Sequence, residues 1–310
     1  MTKCTVKGRV NLPYNIEALD TDSGDIRMIR MDRNDGYTDF ETELDGFESV
    51  IIAAGEEMEQ DSLIYSGMAT AKDIILSEGW SFETLAPNWF VLSAVPSGNP
   101  APGSEFAAVY DFEVHTAIRR LELVTEDDCI ADWYINNIKI TDFKKERIWE
   151  EANNVSDITV LVQIGLNRLV AVGRQPAFNA PYSLPFTALC GDFSVEDGKM
   201  VALRKEIKPL PWNDQGWPYY AGKAVYRCEV VLGSGFNHIE LSIGTNDVAR
   251  VLVNGNEAGV RPWEPYRFDI TGICRQGSNM IEIEITSPYG NLFGQPVPSG
   301  LLEPPVLSVR

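Results

Sequence analysis

The residues that could do chemistry are few and scattered. Two carboxylates facing each other about 5–9 Å apart could cleave an acetal linkage, one giving a proton and the other acting as base or nucleophile. The dense acidic spots are Glu126-Asp127-Asp128 and Glu150-Glu151. Acids adjacent on one loop point into solvent, so both spots read as solvated loops. Asp157 and Asp269 each precede Ile-Thr, where a carboxylate bonds nearby backbone amides in an Asx-turn. Only two histidines occur, His115 and His238, too few for a three-histidine zinc site. Neither lies near a Gly-x-Ser-x-Gly elbow, and Walker, dinucleotide and His-Glu-x-x-His motifs are absent. The five cysteines, Cys4, Cys129, Cys190, Cys228 and Cys274, include no Cys-x-x-Cys and read as structural thiols. Asp20–Asp25 spaces oxygens with a glycine as a calcium loop does. A full loop would carry glutamate where Met31 stands, so the stretch reads as a hairpin turn.

Aromatic side chains are the remaining signal. Trp212, Trp217, Tyr219 and Tyr220 crowd one Pro/Gly-rich segment, and Trp263 and Tyr266 bracket Pro265. The apolar C–H face of a sugar stacks on indole or phenol, while its hydroxyls bond to amides and charged groups. Trp217, Tyr219, Tyr220, Trp263 and Tyr266, with Asn254 as amide, are therefore candidates for a carbohydrate platform. The same rings read first as plugs at the ends of a sandwich or as packing between modules, and second as a platform. Trp149 beside Glu150 is the corresponding ring in the first half.

The elements that must position these residues are strands. Runs of five to eight residues rich in Val, Ile, Tyr and Phe are bounded by Gly, Asn, Asp and Pro, and helical periodicity is almost absent. Glu240–Ile243, Ala249–Val253 and Met280–Ile285 alternate apolar with polar, the mark of an antiparallel sheet with one face on a core. Asn254-Gly255 between two such runs predicts a two-residue hairpin, because both positions tolerate positive φ. The fold class expected is all-β.

A repeat runs through the chain. AVYDFEV from Ala108 matches AVYRCEV from Ala224, and the turn at Asn136 matches that at Asn254. Asp157-Ile158-Thr159 matches Asp269-Ile270-Thr271, and Gly165-Leu166-Asn167 matches Gly277-Ser278-Asn279. The separations are 116, 118, 112 and 112 residues. A weaker pair sets Gly79-Trp80-Ser81-Phe82 against Gly191-Asp192-Phe193-Ser194. The pattern predicts two tandem antiparallel β-sandwiches, over 57–190 and 191–310, with 1–56 as the last hairpins of a preceding β domain.

Composition excludes some partners. With 45 Asp and Glu against 26 Lys and Arg, the chain carries a net charge of −19 and is repelled by phosphate backbones and anionic lipid. No nucleic-acid or membrane role is expected. The 44% apolar content supplies a core. No apolar run reaches the roughly 18 residues of a membrane span, and Met1–Thr5 shows no secretory h-region. That fits a cytoplasmic protein and fits equally a piece of a longer chain.

The second half, AGKAVYRCEVVL, IELSIGTNDVARVLVNGNEAG, PWEPYRFDITGICRQGSNMIEIEIT, resembles the sugar-binding-type jelly-roll, or galactose-binding-like, module of glycoside hydrolases. The likeness is to α-L-rhamnosidase-like enzymes and the β-galactosidase/β-glucuronidase group. It rests on the tyrosine-led strand, V-x-V-N-G with a following Gly, the aromatic-Pro segment, D-I-T, and G-x-N before the last strand. Cys190–Val195, Gly216–Gly222, Asn291–Gly294 and the L-D-G-F-E-S-V-I-I run are similar to the C-terminal region of rhamnosidase-like proteins. The resemblance implies a non-catalytic accessory region that braces a larger enzyme's catalytic domain or holds carbohydrate weakly. It also implies a structural Ca²⁺ at a position the sequence does not place. No segment corresponds to a catalytic barrel. The alternative is a stand-alone small glycosidase with a carboxylate pair in the cleft between modules.

Overall fold

A computed structural model describes residues 4–21, 26–44, 49–55, 72–96, 103–126, 130–174, 184–294 and 296–310. The described chain is built from antiparallel strands, with one short α-helix, Gly290–Phe293, and two 3₁₀ turns. The all-β expectation holds. Asp22–Asp25, most of the calcium-like stretch, and Asp127, Asp128 and Cys129 lie outside the described residues.

The N-terminal segment forms two three-stranded sheets. Tyr37–Leu44 is flanked by Cys4–Val10 and Arg30–Asn34, and Asn15–Asp20 by Ile26–Met28 and Val50–Gly55. Ile16, Ala18 and Ile29, with Val10, Phe40, Val50 and Ile52 against them, are its small core.

The first sandwich packs a five-stranded sheet on a seven-stranded one. The smaller orders Lys144–Glu146, Asn153–Asp157, Leu121–Thr125, Thr187–Gly191 and Asn88–Val91. The larger orders Ile138–Ile140, Ile130–Ile135, Gly165–Arg174, Glu105–Val114, Lys199–Val201 and Ser194–Glu196, with Val95–Pro96 also on Glu105–Val114. Alternate residues of Glu105–Val114 are buried, and Phe106, Ala108, Tyr110, Phe112 and Val114 enter the core.

The second sandwich repeats this plan. One sheet orders Asn256–Arg261, Val248–Val253, Gly277–Ser287, Gly222–Leu232 and Trp80–Thr84. The other orders Arg267–Asp269, Ile239–Gly244, Glu303–Val309 and Lys72–Ile75. Its two outermost strands therefore come from residues that precede the first sandwich. The two sandwiches are nested: the chain begins the second, builds the first inside it, and returns. The expected division at 190/191 differs from this at both ends. Lys72–Ile75 and Trp80–Thr84, expected in the first unit, pair with Glu303–Val309 and Gly222–Leu232. Ser194–Glu196 and Lys199–Val201, expected in the second, belong to the first. Four- and five-residue edge strands with no hairpin to their neighbours leave no local sign of their partner.

Strand register also refines the repeat. Val114 faces Gly165 and Leu232 faces Gly277, so the long central strands correspond at a spacing of 118, not 116. Tyr110 is matched to Cys228, and the two Ala-Val-Tyr triplets stand one pleat apart. The strands from Glu105 to the turn at Asn136 correspond at 118, Asp157 and the long strand Gly165–Arg174 at 112, and Thr187–Gly191 with Glu303–Val309 at 118 again, since Leu189 faces Leu123 as Leu307 faces Leu241. The drift is two compensating length differences, one between Asn137 and Asp157 and one after the long strand.

Candidate functional site

The aromatic segment 212–220 folds inward. Trp212 and Tyr220 are fully buried and Trp217 is 1% exposed. Trp212 meets Tyr220 edge-on at 5.2 Å, and Trp217 meets Phe82 at 5.0 Å. The Tyr220 hydroxyl donates to Lys223 O at 2.6 Å and accepts from Ala86 N at 3.2 Å, and burial raises its pKa to about 12. These rings plug the second sandwich, and their faces are covered by protein. Gly216 makes the turn possible: at φ +111° a side chain is strained, and a Cβ would meet Ser194 Cβ at 2.9 Å.

Tyr219 lies on a second apolar cluster that joins the sandwiches. The five-stranded sheet is apolar on both faces. Phe90, Leu121, Leu123 and Leu189 turn into the first sandwich's core, while Trp89, Val124, Val155, Ala188 and Cys190 turn outward. The outward set is capped by Ala221, Tyr219 and Leu292 of the second sandwich, with Trp149 and Phe186 packed alongside. Trp149 meets Trp89, Phe186 and Phe293 at 5.6, 5.3 and 5.8 Å. Asn88 Nδ2 donates to Phe193 O and Gly216 O, and Val195 N donates to Gly216 O, stitching the seam with hydrogen bonds. Sequence reasoning did not single out Trp89 or Phe186, and it noted Phe293 only within the Asn291–Gly294 likeness. The signal that could have found the seam is Thr187–Gly191, buried at every position.

Of the remaining candidates, Tyr266 is buried, and its hydroxyl donates to Asp247 O at 2.7 Å. Asn254 spends its amide on the backbone and on Asn279. Trp263 alone of the six offers an open ring, at 59% exposure.

Several carboxylates are engaged by basic side chains. Arg168 makes a bidentate pair with Asp111, both bonds 2.8 Å. Arg227 bridges Glu282 and Glu83, and Arg250 bridges Glu257 and Glu284. Hydrogen bonds from Arg168, His115 and Thr159 hold Asp111, Glu113 and Asp157 below the usual carboxylate range. Such groups suit conjugate bases rather than proton donors. Among the described residues Asp247 is the carboxyl pushed upward, by burial, and it accepts from Gly300 N at 2.8 Å. It is 5% exposed. His238 stands 3.9 Å from Asp269 and its Nδ1 3.4 Å from the Thr271 hydroxyl. Among the described residues no group of three or more His, Cys, Asp and Glu is placed to hold a metal ion, and no helix is long and apolar enough to cross a membrane.

The chain matches no protein-family model and no curated protein. Solved structures that it resembles include a rhamnosidase from Novosphingobium sp. PP1Y, at 17% identity over 76% of this chain and 25% of that one, with a TM-score of 0.32. An α-L-rhamnosidase from Streptomyces avermitilis, complexed with L-rhamnose, is 14% identical over 97% of this chain and 36% of that one, TM-score 0.32. A lectin from Pleurotus ostreatus is 13% identical over 75% and 80%, TM-score 0.21. The chain thus spans about a quarter and about a third of the two rhamnosidases. The likeness is one of fold alone.

Proposed function

We propose that this chain is a rigid accessory region of a glycoside-hydrolase-type protein, one that braces a catalytic domain and contacts glycan weakly. The observation that carries the reading is the seam. Nested strands and an aromatic cluster shared by both sandwiches make one stiff body, as a brace requires, and hinged modules would lack such a cluster. Trp263 is the ring of the aromatic set that remains open for a sugar face.

Incubating the chain with a panel of nitrophenyl glycosides tests the accessory part, since turnover would establish the stand-alone glycosidase instead. Calorimetric titration of the chain and of Trp263→Ala with neutral sugars tests the glycan part. Absence of binding at millimolar sugar would leave the brace alone.

A further inference from the structure

The two sandwiches share one scaffold, so positions at which they differ in chemistry are not dictated by folding. The outer face of the larger sheet differs in this way. In the second copy it is an ion-pair lattice: Arg227 holds Glu282 and Glu83, while Glu284 takes both Arg250 and Lys223. In the first copy the cross-strand partners Arg227 and Glu282 are replaced by Val109 and Val170, and the lattice carboxylate Glu284 by Val172. Leu252 is replaced by Tyr134. Register places Lys139, Tyr134, Val170, Val109 and Val95 side by side in one row across five strands. The next row sets Asp132, Val172 and Ala107 together.

Next to this row the register shifts between Ile130 and Asp132, and there lies an open depression of about 520 Å³, lined by Glu105, Ile130, Ala131, Asp132, Val172, Gly173 and Arg174. Its rim holds ion pairs that can exchange partners with hydroxyls: Lys139 with Asp132 at 2.5 Å and Arg174 with Glu105 at 3.3 Å. Beyond the apolar row stand Asp111 with Arg168 and Glu113 with Lys199. These four pairs cancel in charge, on a chain whose net charge is −19. A neutral ligand is favoured there over a polyion. The valines of the row are half-buried except Val95, so the row presents a limited open apolar strip. A stable protein interface needs about 800 Å² from each partner.

We infer that this face of the first sandwich binds a neutral carbohydrate chain, with Tyr134 and the Val170–Val109 row under the sugar rings and the flanking ion pairs on their hydroxyls. The inference rests on the glycan part of the proposed function and adds a site distinct from Trp263. The test transplants the second copy's own pair, Val109→Arg with Val170→Glu, beside Tyr134→Ala and Trp263→Ala. Each is titrated with L-rhamnose, D-galactose and cello-, manno- and xylotetraose, and folding is checked by thermal unfolding. The expected result is binding of a neutral probe that weakens at least ten-fold in Val109→Arg/Val170→Glu and in Tyr134→Ala and persists at this face in Trp263→Ala. Binding lost only in Trp263→Ala overturns this site and leaves the proposed function standing. Absence of binding overturns both this site and the glycan part of that reading. Self-association of the unaltered chain that the double variant abolishes, without sugar binding, would show the face to be an interface between copies. Should the double variant not fold, Tyr134→Ala distinguishes the same outcomes on its own.

Discussion

Asn254 donates its side-chain amide to Asn279 Oδ1 at 2.9 Å, and Asn136 makes the same bond to Asn167 at 2.8 Å. Around each pair the remaining bonds repeat atom for atom. Asn254 also donates to Ile273 O and accepts from Met280 N, as Asn136 does with Leu161 O and Arg168 N. Asn279 donates to Arg275 O and Gly277 O and accepts from Arg275 N, as Asn167 does with Gln163 and Gly165. The lock ties the hairpin turn to the loop before the long strand. The carboxylates of Asp157 and Asp269 accept from Thr159 N and Thr271 N beside it.

Asn279→Ala should therefore be costly. Asn279 is buried and serves both turns, and its loss leaves Asn254 Nδ2 and Arg275 N short of partners. At about 1 kcal/mol per hydrogen bond, with a further penalty for buried groups left unpaired, the expected loss is about 2–4 kcal/mol. Chemical denaturation measures it, and Asn167→Ala should destabilise by a similar amount. A loss below about 1 kcal/mol in both would mean that the lock does not hold the turn.

The turn itself makes a sharper prediction through Gly255. Its φ is +81°, and nothing lies within 4 Å of where its Cβ would sit, so a substitution there costs backbone strain alone. The matching residue, Asn137, has φ 69°. Gly255→Asn should cost under about 1 kcal/mol, because asparagine tolerates the left-handed region. Gly255→Val, β-branched, should cost about 2 kcal/mol or more. Equal thermal unfolding of the two variants would refute the turn geometry.

Much of the fold was legible because its signals are local. Alternation at Glu240–Ile243, Ala249–Val253 and Met280–Ile285 marks strands that the structure places at Ile239–Gly244, Val248–Val253 and Gly277–Ser287. Asn254-Gly255 encodes its turn through the positive φ it permits. The nested order was not legible, because Trp80–Thr84 finds its partner about 140 residues on and no turn links them. A Pro/Gly-rich segment has no period to separate a platform from a plug, so for Trp217 and Tyr220 the sequence favours the plug without fixing it, and the structure buries both. Tyr134 was hidden for another reason. It reads as an ordinary outward strand residue until register sets Val170 and Val109 beside it.

The Asx caps predict an acid dependence. Hydrogen bonds from Thr159 hold the Asp157 carboxyl below its ordinary value. At Asp269 burial pushes upward, but the Thr271 bonds and His238 outweigh it, and the net shift is also downward. A depressed folded-state pKa contributes stability that is present above the unfolded value, near 4, and is lost as pH falls through the folded value. Stability of the chain should fall with decreasing pH below about 4, and Asp157→Asn with Asp269→Asn should flatten that slope. An unchanged slope in denaturation midpoints between pH 5 and pH 2 would show that the caps contribute nothing.

The seam predicts how the chain melts. Trp89 is buried against Trp149 and lies under Ala221 and Leu292, so the first sandwich cannot lose its five-stranded sheet without uncovering the second. Coupled this way, both sandwiches should unfold in one calorimetric transition. Trp89→Ala removes the ring at the centre of the cluster, where truncating a buried tryptophan costs about 3–5 kcal/mol. The loss falls on the contact between modules more than on either core, because Trp89 faces away from Leu121, Leu123 and Leu189. Two resolved transitions are therefore expected in Trp89→Ala, the lower one belonging to the first sandwich. Phe293→Ala, at a half-exposed ring on the other side of Trp149, should shift the single transition without splitting it. Two transitions already present in the unaltered chain would mean that the sandwiches melt independently, and the brace reading would lose its footing.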